Sequence, residues 1–310
     1  MAHMIESMFS VREKPWHGLG TIVMEAPASA EALRLAGLDW NVVQEPVYTD
    51  NQELIKGYKA NMRSFDRRVL GVVSDRYKVV QNTDAFSFTD ELLGRGVRYE
   101  TAGSLQEGRK VWLLARLPKE YVIAGERISS YLVFSNTHDG SGSVKVAVTP
   151  VRVVCNNTLN LALDTAKRSF SMIHTGNIHD KIQEAKDTLF MAENYMDNLG
   201  IEFEQLRRQK MTDAQVKEYI ELLLPMGEEP TPTQSKNILK LRRNMEQRYY
   251  GAPDLQKVGN NAYRFINAVS DFATHSRPLR MTANYKENVF ARTIDGNPLI
   301  DKAYQLVKAA

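Results

Sequence analysis

A cysteine, a histidine and an aspartate are the residue types from which a thiol nucleophile, its base and an orienting carboxylate are assembled. This chain holds one cysteine, Cys155, three residues after Arg152 and just before Asn156, Asn157 and Thr158. His138 and Asp139 stand upstream in "SNTHDGSGSVKVAV". A reactive thiol also needs a cation or a helix N-terminus to lower its pKa. Pro150 suits a first helical turn, so a helix from Val151 would place Cys155 near such a terminus. The same cysteine, between Val154 and Leu159, also suits plain packing, because free cysteine behaves as a small apolar side chain. Packing is the stronger reading. An enzyme using Cys155, His138 and Asp139, a hydrolase or nucleotide-modifying activity, is the alternative.

Metal chemistry finds less support. His138 with Asp139, and His174 with His179, are ligand types, but none stands at a metal-ligand spacing such as two histidines four apart on one helix. "GSGS" at 140–143 lacks the spacing and lysine of a phosphate-binding loop, and no dinucleotide fingerprint occurs. No metal and no cofactor are expected.

Polyanion binding needs cations along a surface and flat side chains on which bases stack. Arg109, Lys110 and Trp112 lie in one expected hairpin and Lys145 in a second, while Arg152 and Asn156 follow it. Lys167 and Arg168 open the next strand. Arg109, Lys110, Lys145, Arg152, Asn156, Lys167 and Arg168 are therefore the candidate nucleic-acid contacts. A second basic patch, "KNILKLRRNMEQRYY", sets Lys236, Lys240 and Arg243 on one helix face.

The elements that must position these residues follow from periodicity. "SAEALRLAGL" reads as a helix and "WNVVQEPVYT" as a strand. "VLGVV" and "YKVV" read as two strands joined at Ser74 and Asp75. "NTDAFSFTDELLGRG" is a helix capped by Asn82 or Thr83, with Ala85, Phe86, Phe88, Leu92 and Leu93 buried. "VRYETAGSLQEGRKVWLLARLP" is a hairpin turning at "QEG", and "ISSYLVFSNTHDGSGSVKVAVTP" a second one. "VRVVCNNTLNLALDTA" changes to helical period, and "RSFSMIHTG" returns to an extended one. A long amphipathic helix spans 177–208, and further helices are expected in "TDAQVKEYIELLLP", "QSKNILKLRRNMEQRYYG" and "NAYRFINAVSDFATH". The expected fold is α+β. Antiparallel hairpins pack against helices over 5–175, and a mostly helical region follows over 176–310.

Composition bounds the rest. The 310 residues are 43% hydrophobic and 25% charged, with a net charge of +3, an ordinary globular balance too mild to prove a polyanion partner by itself. One cysteine makes no internal disulfide, which fits a reducing cytoplasm. No apolar run is long enough to span a bilayer, and "MAHM" is not a signal pattern.

At "KPWHGLGT", "SNTHDGSGSVKVAVTPVRVVCNNTL", "NAYRFINAVSDFATH" and the late "VFARTIDGNPLIDKAYQLVK" the chain resembles a family of uncharacterised phage-, prophage- and plasmid-borne proteins with a domain of unknown function. That resemblance implies a mobile-DNA setting rather than an activity. The order of elements is also similar to the annealing core of the Rad52 and RecT-like proteins. Through that likeness Lys145, Arg152, Lys167 and Arg168 would line a groove that grips a strand's backbone. The expectation is a non-catalytic, cytoplasmic single-stranded DNA-binding protein of a mobile element, with a role in annealing or recombination. It would be homo-oligomeric, with phage or host recombination proteins as partners. A protein-binding module acting on a host defence system is a third reading.

Overall fold

The computed structural model describes residues 5–12, 20–94, 97–123, 126–152, 169–276 and 297–309. By contacts the chain divides into two units. The first comprises residues 1–118, 131–148 and 167–192; the second comprises 119–130, 149–166 and 193–310.

In the first unit the core face of a large sheet packs under two helices. The sheet has seven strands, of which β7, β8 and β9 run on into residues of the second unit: β1 (Ile5–Val11), β2 (Thr21–Val23), β6 (Tyr99–Leu105), β7 (Lys110–Ile123), β8 (Glu126–Thr137), β9 (Val144–Arg152) and β10 (Ser169–Met172). Their order is β10-β9-β8-β7-β6-β1-β2, antiparallel at β10–β9, β7–β6 and β6–β1, and parallel at β1–β2. Phe9, Tyr99, Leu113, Leu132, Phe134, Val144 and Val146 point from it into a core shared with α1 (Ser29–Leu35) and α2 (Asn82–Leu93). A second sheet, β3 (Val42–Tyr48), β4 (Leu54–Arg63) and β5 (Val69–Ser74), is antiparallel throughout.

Both expected hairpins are present. Between β6 and β7, Gln106 and Glu107 adopt positive φ of 53° and 60° ahead of Gly108, the left-handed backbone that a tight hairpin turn demands. Three local expectations are corrected. "YKVV" makes no strand: residues 77–80 join no ladder, and the Lys78 and Val80 carbonyls are met by the side chains of His174 and Asn136. Gln81, not Asn82 or Thr83, caps α2, because it forms a reciprocal capping box with Asp84. The Asn82 amide is drawn away to the carbonyls of Leu38 and Trp40. Val151 and Arg152, expected to open a helix, end strand β9; the remainder of that expected helix lies outside the described residues.

The second unit is helical, from the later turns of α3 (Ile182–Arg208) through α4 (Asp213–Leu223), α5 (Pro232–Gly251), α6 (Ala262–His275) and α7 (Pro298–Lys308). Thr212 with Gln215 and Thr231 with Gln234 form capping boxes, the second completed by Pro232 in the first turn. Helix α6 is apolar on nearly every side and buries Tyr263, Phe265, Ile266, Ala268 and Val269, as a central helix must. Arg264, buried with them, donates through Nε to the Tyr249 carbonyl (2.7 Å) near the end of α5, and its guanidinium lies over the Tyr249 ring. A cation there offsets the negative pole of that helix.

Candidate nucleic-acid interface

The segment 77–82, which leads from β5 to α2, is fastened from both sides. The backbone N–H of Lys78 donates to the His174 carbonyl (2.7 Å), and the Lys78 carbonyl meets His174 Nδ1 (3.1 Å). Two residues on, Asn136 Nδ2 donates to the Val80 carbonyl (3.0 Å); two further, His138 Nε2 meets Asn82 Oδ1 (3.0 Å). The alternation of an extended chain thus presents residues 78, 80 and 82 in turn to His174, Asn136 and His138. The Tyr77 hydroxyl closes the set on the Thr137 carbonyl (2.6 Å), with its ring stacked on His174.

Tautomers follow from the partners. Asn82 Nδ2 donates to two carbonyls, so its Oδ1 accepts and His138 Nε2 carries the proton. His138 is completely buried, and burial, aided by the neighbouring His174, pushes its pKa down to about 3. His174 is lowered too, first by burial. His138 is therefore a neutral imidazole and a weak base, fitted to hold structure. Asp139 accepts the Ser141 N–H in an ordinary turn, and Cys155 lies outside the described residues. Among the described residues no group of three or more histidines, cysteines or carboxylates is arranged to hold a metal.

The same staple joins the glycine-rich turn to the small sheet. Asn61 Nδ2 donates to the His138 carbonyl (2.7 Å), and Gly71 of β5 lies directly against the Asp139 backbone. At the far end Arg63 of β4, itself buried, pairs with both carboxylate oxygens of Glu6 on β1 (2.6 and 2.7 Å) and with Asp66. The hydrogen bond from Arg63 is the first cause that lowers Asp66 to about 2. Arg63→Leu, which strands Glu6 and Asp66 beside an apolar side chain, is expected to cost about 3 kcal/mol in urea denaturation, and an unchanged midpoint would contradict it.

With its inner face so engaged, the small sheet presents its outer face to solvent. Cross-strand register puts Tyr58 opposite Ser74 and Ala60 opposite Val72, on the face away from Asn61 and Arg63, while Tyr48 pairs with Leu54 beyond a register shift, at the open end of the sheet. Tyr48 is 56% and Tyr58 53% exposed; Phe65, in the β4–β5 turn, is 68% exposed. Lys56, Lys59, Arg76 and Arg109 border this sheet without a carboxylate partner among the described residues. Arg67 and Arg68 are paired with Glu45 and with Asp66 and Glu107.

The candidate contacts read from the sequence fall in several places. Arg109 leaves the β6–β7 turn, exposed, and its carbonyl receives the His138 backbone N–H (2.7 Å). Gly108 beside it touches Arg63 and Trp40, so Arg109 belongs to the small-sheet end of the unit. Lys110 and Lys145 flank the core residues Val111 and Val144, so both project from the opposite face of the large sheet, half-buried and engaged by neighbours. Arg152 ends β9 with a side chain that is not described, and Asn156, Lys167 and Arg168 lie outside the described residues. Tyr48, Lys56, Tyr58 and Phe65 were missed by sequence reasoning. The period-two pattern of 58–62 carried the signal for a strand, but not for the exposure of these side chains.

The architecture is that of an α+β protein with antiparallel-dominated sheets and a helical C-terminal part. The chain belongs to the family described as a domain of unknown function (DUF932), which matches residues 69–295. The match begins at β5, so Tyr48 and Tyr58 precede it. No curated protein and no solved structure matches the chain. No helix among the described residues is long and apolar enough to cross a membrane.

Proposed function

We propose that the protein binds single-stranded DNA without a catalytic step, as a phage- or plasmid-borne factor that handles or anneals strands. The observation that carries this reading is the pair of half-exposed tyrosines, Tyr48 and Tyr58, on the small sheet, bordered by cations that have no carboxylate partner among the described residues. Bases splayed from a single strand stack on such rings whatever their identity, at about 1–3 kcal/mol per base, while cations track the phosphates. Duplex DNA keeps its bases stacked and gains only the charge contribution. Sequence-independent binding with a preference for single strands follows.

Fluorescence anisotropy with a labelled oligonucleotide tests this. Tyr48→Ala/Tyr58→Ala is expected to weaken binding by at least about 30-fold, from two lost stacking partners. Four unpaired cations in contact with phosphates give a log–log salt slope of about −3. Equal affinity of wild type and double variant, or no salt dependence, would overturn the assignment.

A further inference from the structure

The second unit carries two surfaces of opposite character. The first is a groove of about 570 Å³ between the β7–β8 tip and α3. Its walls include the apolar Tyr121, Val122 and Ile201 and the charged Asp197, Glu204 and Arg208. On α3, positions 197, 201, 204 and 208 follow the three-and-four spacing of a single helix face. Ile201 is 60% exposed at the centre of that stripe, between the two carboxylates. With Val122, 73% exposed, it forms an open apolar patch rimmed by charged residues, the pattern of an interaction surface.

The second surface is the outer face of α5. Lys236, Leu239, Lys240, Arg243 and Tyr250 recur on one stripe, and all five are exposed. Leu239 is 45% exposed. Lys236, Lys240 and Arg243 have no ion pair among the described residues, whereas Arg242 and Arg248 on the flanks are paired with Glu221 and Asp271. The flanking arginines thus serve the unit itself, and the three cations around Leu239 are left for something outside it.

We infer that the α3 groove receives the α5 stripe of a second copy of this chain. The charge patterns match: Leu239 would meet Ile201 and Val122, with Lys236 on one side of it and Lys240 and Arg243 on the other facing the carboxylates of Asp197 and Glu204. Such opposed charges around an apolar seam set partner and register in helix pairing. The two patches are different surfaces of one molecule, so the contact is heterologous, and every pair keeps one free groove and one free stripe. Head-to-tail contacts of this kind close into rings or extend into filaments, and do not stop at a symmetric dimer. The inference is independent of nucleic-acid binding.

Mass photometry and sedimentation of the full chain without nucleic acid test it. Wild type is expected to form species larger than a dimer as concentration rises. Asp197→Lys/Glu204→Lys and Lys240→Glu/Arg243→Glu, all at exposed positions, are each expected to weaken association at least about tenfold. Ile201→Ser supplies a variant that keeps the charge pattern and is also expected to weaken it. Mixing the two charge-reversed chains makes both contacts between unlike chains attractive, so the mixture forms alternating species larger than a dimer that neither makes alone. A monomeric wild type, assembly unaffected by either reversal, or loss that mixing does not rescue would overturn the inference. So would reversed α5 charges that weaken oligonucleotide binding while assembly stays intact, since α5 would then be a polyanion surface.

Discussion

Acidification from about pH 7.5 to about pH 5 is expected to destabilise the protein by roughly 2 kcal/mol through His138 alone. The sign follows from where the proton is taken up. Folded His138 titrates at about 3, against 6.5 when unfolded, so between those values only the unfolded chain binds the proton. The stabilisation is complete above pH 6.5 and is lost as pH falls toward 3. The gradient is about 1.4 kcal/mol per pH unit for each such group. His174, lowered in the same direction, adds to it. Carboxylates such as Asp66, lowered to about 2, change protonation only further into acid, so the window between pH 6.5 and 5 reports on the histidines. Urea denaturation across that window checks the expectation, and His138→Gln, which can still donate to Asn82, should flatten the gradient by one proton. A wild-type stability independent of pH there would contradict the buried, neutral state of the pair.

The second large effect is expected at Gly71. In a strand, valine has the better intrinsic propensity, so Gly71→Val looks favourable from the sequence. A Cβ at this position, however, would lie 2.5 Å from Asp139 Cα and 2.7 Å from the Asp139 carbonyl oxygen. Both contacts are with backbone, which cannot rotate away. The substitution must part the 138–140 turn from β5, and with it strain the Asn61 bond to the His138 carbonyl and the Tyr77 bond to Thr137. A loss of about 3 kcal/mol is expected, at the upper end for overpacking because the obstacle is main chain. Gly176→Ala, where a Cβ meets nothing within 4 Å, serves as the control and should stay within about 0.5 kcal/mol. Equal stabilities of the two variants would mean that the turn is not seated on the sheet.

The hairpins and the C-terminal helices were legible because their signals are local. The period-two runs flanking "QEG" and "HDGSGS", and the Thr212 and Thr231 capping boxes, sit within a few residues of what they specify. The segment 77–80 was not legible as what it is. Its apolar alternation is that of a strand, but the groups that satisfy its backbone come from Asn136, 56 residues after Val80, and His174, 96 after Lys78. The α2 cap failed for a related reason. Asn82 is a better cap than Gln81 by type, yet its amide is committed to Leu38 and Trp40, while Gln81 serves both α2 and the Val42 backbone. Charge was easier to read than exposure. Lys110 and Lys145 were recognised as cations, and only tertiary structure shows that they emerge half-buried from the large sheet while Tyr48 and Tyr58 stand open on the small one.

Ultraviolet cross-linking of the full-length protein to a single-stranded oligonucleotide, with the adducts located by peptide mass spectrometry, tests strand binding at its source. Adducts concentrated on Tyr48, Tyr58 and Phe65, and abolished by excess unlabelled single strand but far less by duplex, are the predicted result. Adducts confined to other segments, or none at concentrations where binding should saturate, would contradict the small sheet as a surface for single-stranded DNA.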